Sequence, residues 1–225
     1  DRVEKGGYIT ITAPSVSPDG RKFAWLEDTS GYERCDLYVK DLETGKIIES
    51  SLHELSPWSL AWGNDNETLF YTRQDDTNRP DRVYRHRIGT DSAQDELVFH
   101  EPDGRYFVGV DRTRSGEWLV MGAESQITSE YYVLDADDPW GEFTVIAPRR
   151  QGVEYSVDHS GDFFYIRTND EAMNFKIVKA PTATPGAEHW TDLAPHDPEV
   201  YRLGVSAFRN HLVLSQRRDG YRELN

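Results

Sequence analysis

One unit recurs five times along this chain: a polar turn followed by an alternating strand. It reads "SPDGRKFAWLED" first, then "GNDNETLFYTRQD", "RTRSGEWLVMGAES", "DHSGDFFYIRTND" and "AFRNHLVLSQRRDG". Anchored on Phe23, Leu69, Leu119, Phe164 and Leu212, the successive spacings are 46, 50, 45 and 48 residues by subtraction. A period in the high forties is the length of one four-stranded propeller blade. Within each period apolar residues alternate with polar ones, and Gly, Asn, Asp, Ser or Pro interrupts about every eight to twelve residues. No segment keeps a helical period.

The expected fold is therefore all-β. It is a partial β-propeller of about four and a half four-stranded blades. The blades fall at 8–52, 56–101, 105–149, 153–197 and, incomplete, 201–225. A β-sandwich or barrel would fit the alternation but not the long regular period. One blade cannot bury both of its faces alone, so the first and last blades need further blades or a partner against them.

Composition narrows the function. Of 225 residues, 37% are hydrophobic, 29% charged and 12% aromatic, which is enough to build a core. No apolar run approaches the roughly 20 residues of a membrane-spanning helix, so no membrane partner is expected. The net charge of −15 would repel phosphates, which argues against nucleic acid. It is compatible with attracting cationic ligands. The single cysteine, Cys35, cannot form an internal disulfide. The expected compartment is the cytoplasm, with the periplasm as the alternative. The opening "DRVEKGGYIT" has no initiator Met and no signal pattern, as in a mature chain or an excised piece.

Catalytic motifs are sparse. Gly-x-Ser-x-Gly, the strained nucleophile turn, is absent from the sequence. Ser115 and Ser160 lie in "TRSGEW" and "DHSGDF" and read as hairpin-turn formers. Cys35, beside Arg34, reads as a small half-buried side chain. His86 and His100 sit fourteen residues apart on different strands, without HExxH or CxxC spacing. Asp91, Asp95 and Glu96 lack the order of a calcium loop. His86, between Arg85 and Arg87, reads as part of an outer, water-facing strand. No metal and no cofactor is expected. The inner strands offer only Asp111, Asp158 and His159, thin support for a metal-dependent lyase.

Two runs are more specific than a generic blade: "YRHRIGTDSAQDELVFHE", and "PRRQGVEYSVDHSGDFFYIRTND" with "MNFKIVKAP". With "VSPDGRKFAWLEDTSGYERCDLYVKDLETGK", they resemble the prolyl oligopeptidase family of serine peptidases, in unbroken order along essentially the whole chain. The resemblance implies a seven-bladed propeller capping an α/β-hydrolase domain that carries Ser, Asp and His. It implies short peptides cut after Lys or Arg, with the propeller excluding folded proteins by size and hinging around substrate. The 225 residues resemble the middle and later propeller, so no catalytic residue is carried over and the segment alone should be inactive.

The implied partners are the α/β-hydrolase domain of the same polypeptide and short basic peptides. The resemblance also implies that tips between the second and third strands of a blade face the hydrolase domain. An acidic tip residue can then pair with an arginine near the catalytic His. The matching tip is "DTSGYERCD" and the candidate is Glu33. Neighbouring tips offer Asp75, Asp76, Arg79, Gln126, Asp170 and Arg217. The rival function is a stand-alone propeller serving as an interaction scaffold, with no peptidase activity.

Overall fold

A computed structural model describes residues 7–225. They form nineteen strands in five antiparallel sheets, joined by short turns. The all-β expectation holds. By contacts the chain divides into two compact units. The first runs to Asp111 and includes Ala136–Gly141; the second holds Arg112–Asp135 and Glu142–Asn225.

In the first unit, β1 (Thr10–Val16), β2 (Lys22–Asp28), β3 (Asp36–Asp41) and β4 (Ile47–Glu49) pair in chain order. So do β5 (Leu60–Trp62), β6 (Thr68–Gln74), β7 (Pro80–Arg87) and β8 (Glu96–His100). β9 (Phe107–Arg112) follows. The second unit contains the meander β10 (Trp118–Glu124), β11 (Ser129–Asp135) and β12 (Thr144–Ala147). A four-stranded sheet follows: β13 (Tyr155–Ser160), β14 (Phe163–Thr168), β15 (Lys176–Pro181) and β16 (Thr191–Ala194). The last sheet has three strands: β17 (Val200–Phe208), β18 (His211–Arg218) and β19 (Tyr221–Leu224).

The second strand of each sheet carries the alternation that marks the repeat; β2, β6, β10 and β14 supply buried core side chains, whereas β18 buries only Gln216. In the first unit Leu26, Leu37, Trp62, Leu69 and Tyr71 are fully buried in one cluster between the first two sheets. Trp62 also donates its indole N–H to the Ser15 carbonyl at 3.3 Å, so β5 is tied to β1. In the second unit Val120, Val133, Tyr155, Phe164 and Ile166 share another cluster. There the Tyr155 hydroxyl donates to the Ala147 carbonyl at 2.6 Å and accepts the Tyr131 N–H at 2.8 Å. The buried Trp62 indole and Tyr155 phenol thus find the polar partners that burial demands.

β1 has a bulge between Thr12 and Ser15, with Ala13 at a φ of 46°. The bulge puts one extra residue in β1 opposite β2, which bends the strand and strengthens its local twist.

Polar side chains hold the sheets together at the turns between first and second strands. Asp158, near the end of β13, is the best example. Its Oδ1 accepts the backbone N–H of Arg114 at 2.9 Å, from the turn before β10. Its Oδ2 accepts the backbone N–H of Ala207 at 2.8 Å, from β17. One carboxylate therefore clasps the sheets on either side of its own. Charged acceptors of this kind contribute about 1.5–3 kcal/mol each. Asp158→Ala should destabilise the protein by about 2–3 kcal/mol in chemical denaturation, with Asp158→Asn between it and wild type. A loss below about 0.5 kcal/mol for Asp158→Ala would mean that the clasp is not made in solution.

Candidate functional site

The tips between second and third strands are built to hold unusual backbone. In the first sheet, β2 ends at Asp28, whose buried carboxylate organises the tip. Oδ1 accepts the N–H groups of Ser30 (2.7 Å) and Gly31 (2.9 Å), and Oδ2 accepts that of Glu33 (2.9 Å). Burial alone would raise the Asp28 pKa; these hydrogen bonds outweigh it and hold the pKa low. The chain then passes through Gly31 at a φ of 79° and Glu33 at 59°. Tyr32, at 75% exposure, projects from the same tip. Glu33 is exposed, and among the described residues its carboxylate has no ion pair.

The tip of the second sheet is closed by Asp75. Its Oδ1 accepts from the Thr77 hydroxyl and from the N–H groups of Thr77 and Arg79. Its Oδ2 accepts from Arg79 Nε at 3.0 Å. These bonds, the Thr77 hydroxyl foremost, hold the Asp75 carboxyl far below the usual range. Arg79 itself is buried. Its Nη1 donates to the carbonyls of Glu101 (3.2 Å), Asp103 (3.3 Å) and Tyr106 (2.9 Å), which pins the connection leading to β9. Arg79 and Asp75 therefore spend their charged groups inside the fold. Asp76 remains exposed beside them.

Bonds cross from this tip to the first one. Arg34 Nη2 donates to the Asp75 carbonyl (3.1 Å) and to Asn78 Oδ1 (3.0 Å). Gln74 Nε2 donates to the Glu33 carbonyl at 2.7 Å. In the second unit, Asp170 pairs with Arg150, and Met173 stands 88% exposed on the same tip. Gln126 lies on the exposed tip before β11, next to Ile127 at 52% exposure. Arg217 is exposed on β18, in register with Tyr201 and Arg222. Of the tip candidates, Glu33 and Asp76 are thus brought to one pair of linked tips with their carboxylates outward. Arg217 and Asp170 belong to the chain's other unit.

His86 differs from its sequence reading. It is not on a water-facing stretch but fully buried. Its Nδ1 lies 2.7 Å from Asp95 Oδ1 and its Nε2 3.4 Å from Glu49 Oε2. Tyr71 donates its hydroxyl to the other Asp95 oxygen at 2.8 Å. Asp95 follows a single 3₁₀ turn, Ser92–Gln94, that folds the "GTDSAQDE" connection back over β7. The partners come from 9 and 37 residues away, so local alternation could not disclose them.

The hydroxyls and the thiol offer little chemistry. Ser115 Oγ accepts the Glu117 N–H (3.1 Å) and sits 2.8 Å from His159 Nδ1, in an exposed turn. Burial lowers the His159 pKa and so favours the neutral ring beside that hydroxyl. Burial pushes the Cys35 thiol up to about 11, so its reactive thiolate is suppressed. Among the described residues no group of three or more His, Cys, Asp or Glu is arranged to hold a metal ion.

With this geometry in view, the chain matches the family model of the prolyl oligopeptidase N-terminal β-propeller domain over residues 2–225. The chain belongs to the prolyl oligopeptidase family. Curated relatives of this propeller include dipeptidyl aminopeptidase BI of Pseudoxanthomonas mexicana, 36% identical over 219 residues. That match covers 96% of this chain and 30% of the relative. Protease 2 of Moraxella lacunata is 29% identical, covering 98% of this chain and 32% of its own length. Among solved structures, oligopeptidase B from Leishmania major superimposes with a TM-score of 0.88 at 25% identity. It covers 96% of this chain and 31% of that one. The propeller spans about a third of the length of the curated relatives it matches.

The His86 cluster gives the propeller a defined pH response. Burial favours neutral His86, but the hydrogen bond and charge of Asp95, with the charge of Glu49, overcome it and raise the pKa above 6.5. Burial likewise opposes ionisation of Glu49, yet bonds from Ser51 and Gly89 and the His86 charge bring it down to about 2. The histidine's contribution is complete below its unfolded value near 6.5 and is lost as pH rises through its raised folded value. That of Glu49 is complete above 4.5 and is lost as pH falls toward 2. Thermal stability should therefore be greatest between about pH 4.5 and 6.5 as far as this cluster is concerned. His86→Gln should cost about 3–5 kcal/mol and flatten the decline above neutrality. An unchanged alkaline limb in the variant would show that His86 is not the group responsible.

Proposed function

We propose that this chain is the gating propeller of a serine oligopeptidase of the oligopeptidase B type. In this reading an α/β-hydrolase domain of the same polypeptide holds the nucleophile, acid and base. It hydrolyses short peptides after Lys or Arg. The observation that carries the reading is the unbroken likeness to a solved oligopeptidase B over 96% of this chain, which accounts for only 31% of that structure. Catalytic groups supplied from outside the propeller also agree with the turn-bound character of Ser115 and the suppressed thiol of Cys35.

Gating follows from shape and charge. A propeller over a hydrolase cleft admits only short, unfolded peptides, and closure brings the two parts together around them. Another relative, oligopeptidase B from Trypanosoma brucei, was solved in a closed form with antipain covalently bound. The linked tips of the first unit would meet the hydrolase domain on closure. Glu33, exposed and unpaired among the described residues, would form an ion pair there with an arginine near the catalytic histidine. Tyr32, packed between the two parts, would add apolar contact. The surplus of acidic residues would concentrate basic peptides at the entrance.

A second reading rests on the 36% identity to dipeptidyl aminopeptidase BI. On it, the whole enzyme releases dipeptides from a free amino terminus. A pair of reporters decides between them: an arginyl reporter with a blocked amino end and a dipeptidyl reporter with a free one. Cleavage of the blocked substrate supports the oligopeptidase reading; strict dependence on the free amine supports the other. A full-length enzyme that cleaves neither would return the chain to the scaffold class.

Two outcomes test the gating role in the full-length enzyme. Glu33→Ala should lower kcat/KM about tenfold or more while leaving Tm within about 2 °C of wild type. A Tm that falls in step with activity would assign Glu33 to stability. Raising ionic strength should lower kcat/KM for a dibasic peptide and leave a neutral ester substrate unchanged. Equal salt dependence for both would remove the steering role.

A further inference from the structure

We infer that Gln74 is a positioning residue for Glu33, fixing from the neighbouring sheet the backbone that presents the Glu33 carboxylate. The inference rests on the proposed role of Glu33 at the interface with the hydrolase domain. Glu33 has a φ of 59°, a conformation that a residue with a Cβ enters only when its surroundings impose it. Two groups impose it here. Asp28 Oδ2 accepts the Glu33 N–H from within the first sheet. Gln74 Nε2, from the end of β6 in the second sheet, donates to the Glu33 carbonyl at 2.7 Å. The peptide groups on either side of the Glu33 Cα are thereby held by different sheets, while the side chain between them stays exposed.

Asn78 completes the frame. It also has a left-handed φ, 62°, and its Oδ1 receives both Arg34 Nη2 (3.0 Å) and Gln74 Nε2 (3.3 Å). Its Nδ2 reaches the Tyr32 carbonyl at 3.4 Å. Every one of these crossing bonds ends on backbone or on Asn78; none takes up the Glu33 carboxylate. The ordering of the tip is thus completed on folding, which lowers the entropic cost when an opposing arginine docks. Gln74 is an uneconomical choice for stability alone. It is only 4% exposed, and among the described residues its Oε1 has no hydrogen-bond partner. A buried, unpartnered amide oxygen opposes folding, and an apolar side chain of similar volume would avoid it. The amide nitrogen it brings is what the tip needs.

Full-length Gln74→Met, which keeps the volume and removes the donor, tests the inference alone and combined with Glu33→Ala. Asn78→Gly serves as a second variant, because glycine tolerates the left-handed backbone while losing the bonds to Arg34, Gln74 and Tyr32. Hydrogen exchange at the Tyr32–Arg34 amides should quicken about fivefold in either variant, with exchange in β2 and β3 unchanged. In the same enzymes kcat/KM should fall about fivefold when Glu33 is present and not at all when Glu33→Ala is already in place. Unchanged exchange at the tip, or equal losses of activity in both backgrounds, would overturn the positioning role. A Glu33→Ala enzyme with wild-type kcat/KM would instead defeat the ion-pair reading. The exchange measurement would then decide the role of Gln74 by itself.

Discussion

Within each unit, neighbouring sheets bury apolar side chains against one another, and no other property constrains the structure as much. Trp62 and Tyr71 in the first unit, and Phe164 and Ile166 in the second, have essentially no exposure because a neighbouring sheet covers them. Face-to-face stacking of whole sheets leaves their hairpin ends as the places where backbone polar groups must find partners. The buried and half-buried acids do that work. Asp158 joins three sheets at turns between first and second strands. Asp28 and Asp75 shape tips between second and third strands, and Glu49 meets His86 across two sheets. Much of the acidic composition is therefore architectural before it is electrostatic.

The same division separates the groups that maintain the fold from those offered to a partner. Arg79 looks from its place in a tip like a group that could face outward, yet its guanidinium is consumed by three carbonyls of the connection to β9. Glu33, in the adjacent tip, has a backbone held on both sides and a carboxylate left exposed. A rigid support beneath an uncommitted charge is the arrangement expected of an interface that must form and release repeatedly. A flexible tip would lose more entropy at each closure.

Strands were the most legible part of the chain. Their period of two and the Asp-Gly, Asn-Glu and Ser-Gly turns are local signals, and the alternating runs anchored on Phe23, Leu69, Leu119, Phe164 and Leu212 all lie in second strands. What local pattern could not disclose is which polar residues meet across sheets. His86 alternates with two arginines and so reads as exposed. Its burial depends on Glu49, supplied by a different sheet, and on a 3₁₀ turn that returns Asp95 to β7. The role of Gln74 is hidden from local pattern for the same reason, since its partner Glu33 lies 41 residues earlier. The likeness to the prolyl oligopeptidase family singled out the Glu33 tip. The hydrogen bonds then distinguish Glu33 and Asp76 from the committed Asp75 and Arg79 in the neighbouring tip.

The most direct test of the central claim, that the linked tips form the face closing on a hydrolase domain, is a crystal structure of the full-length enzyme in its inhibitor-bound, closed state. The Glu33 carboxylate should lie within about 4 Å of an arginine guanidinium contributed by the hydrolase domain, with its left-handed backbone and the Gln74 contact unchanged. A closed enzyme in which Glu33 points into solvent, or in which the tips face away from the hydrolase domain, would contradict it.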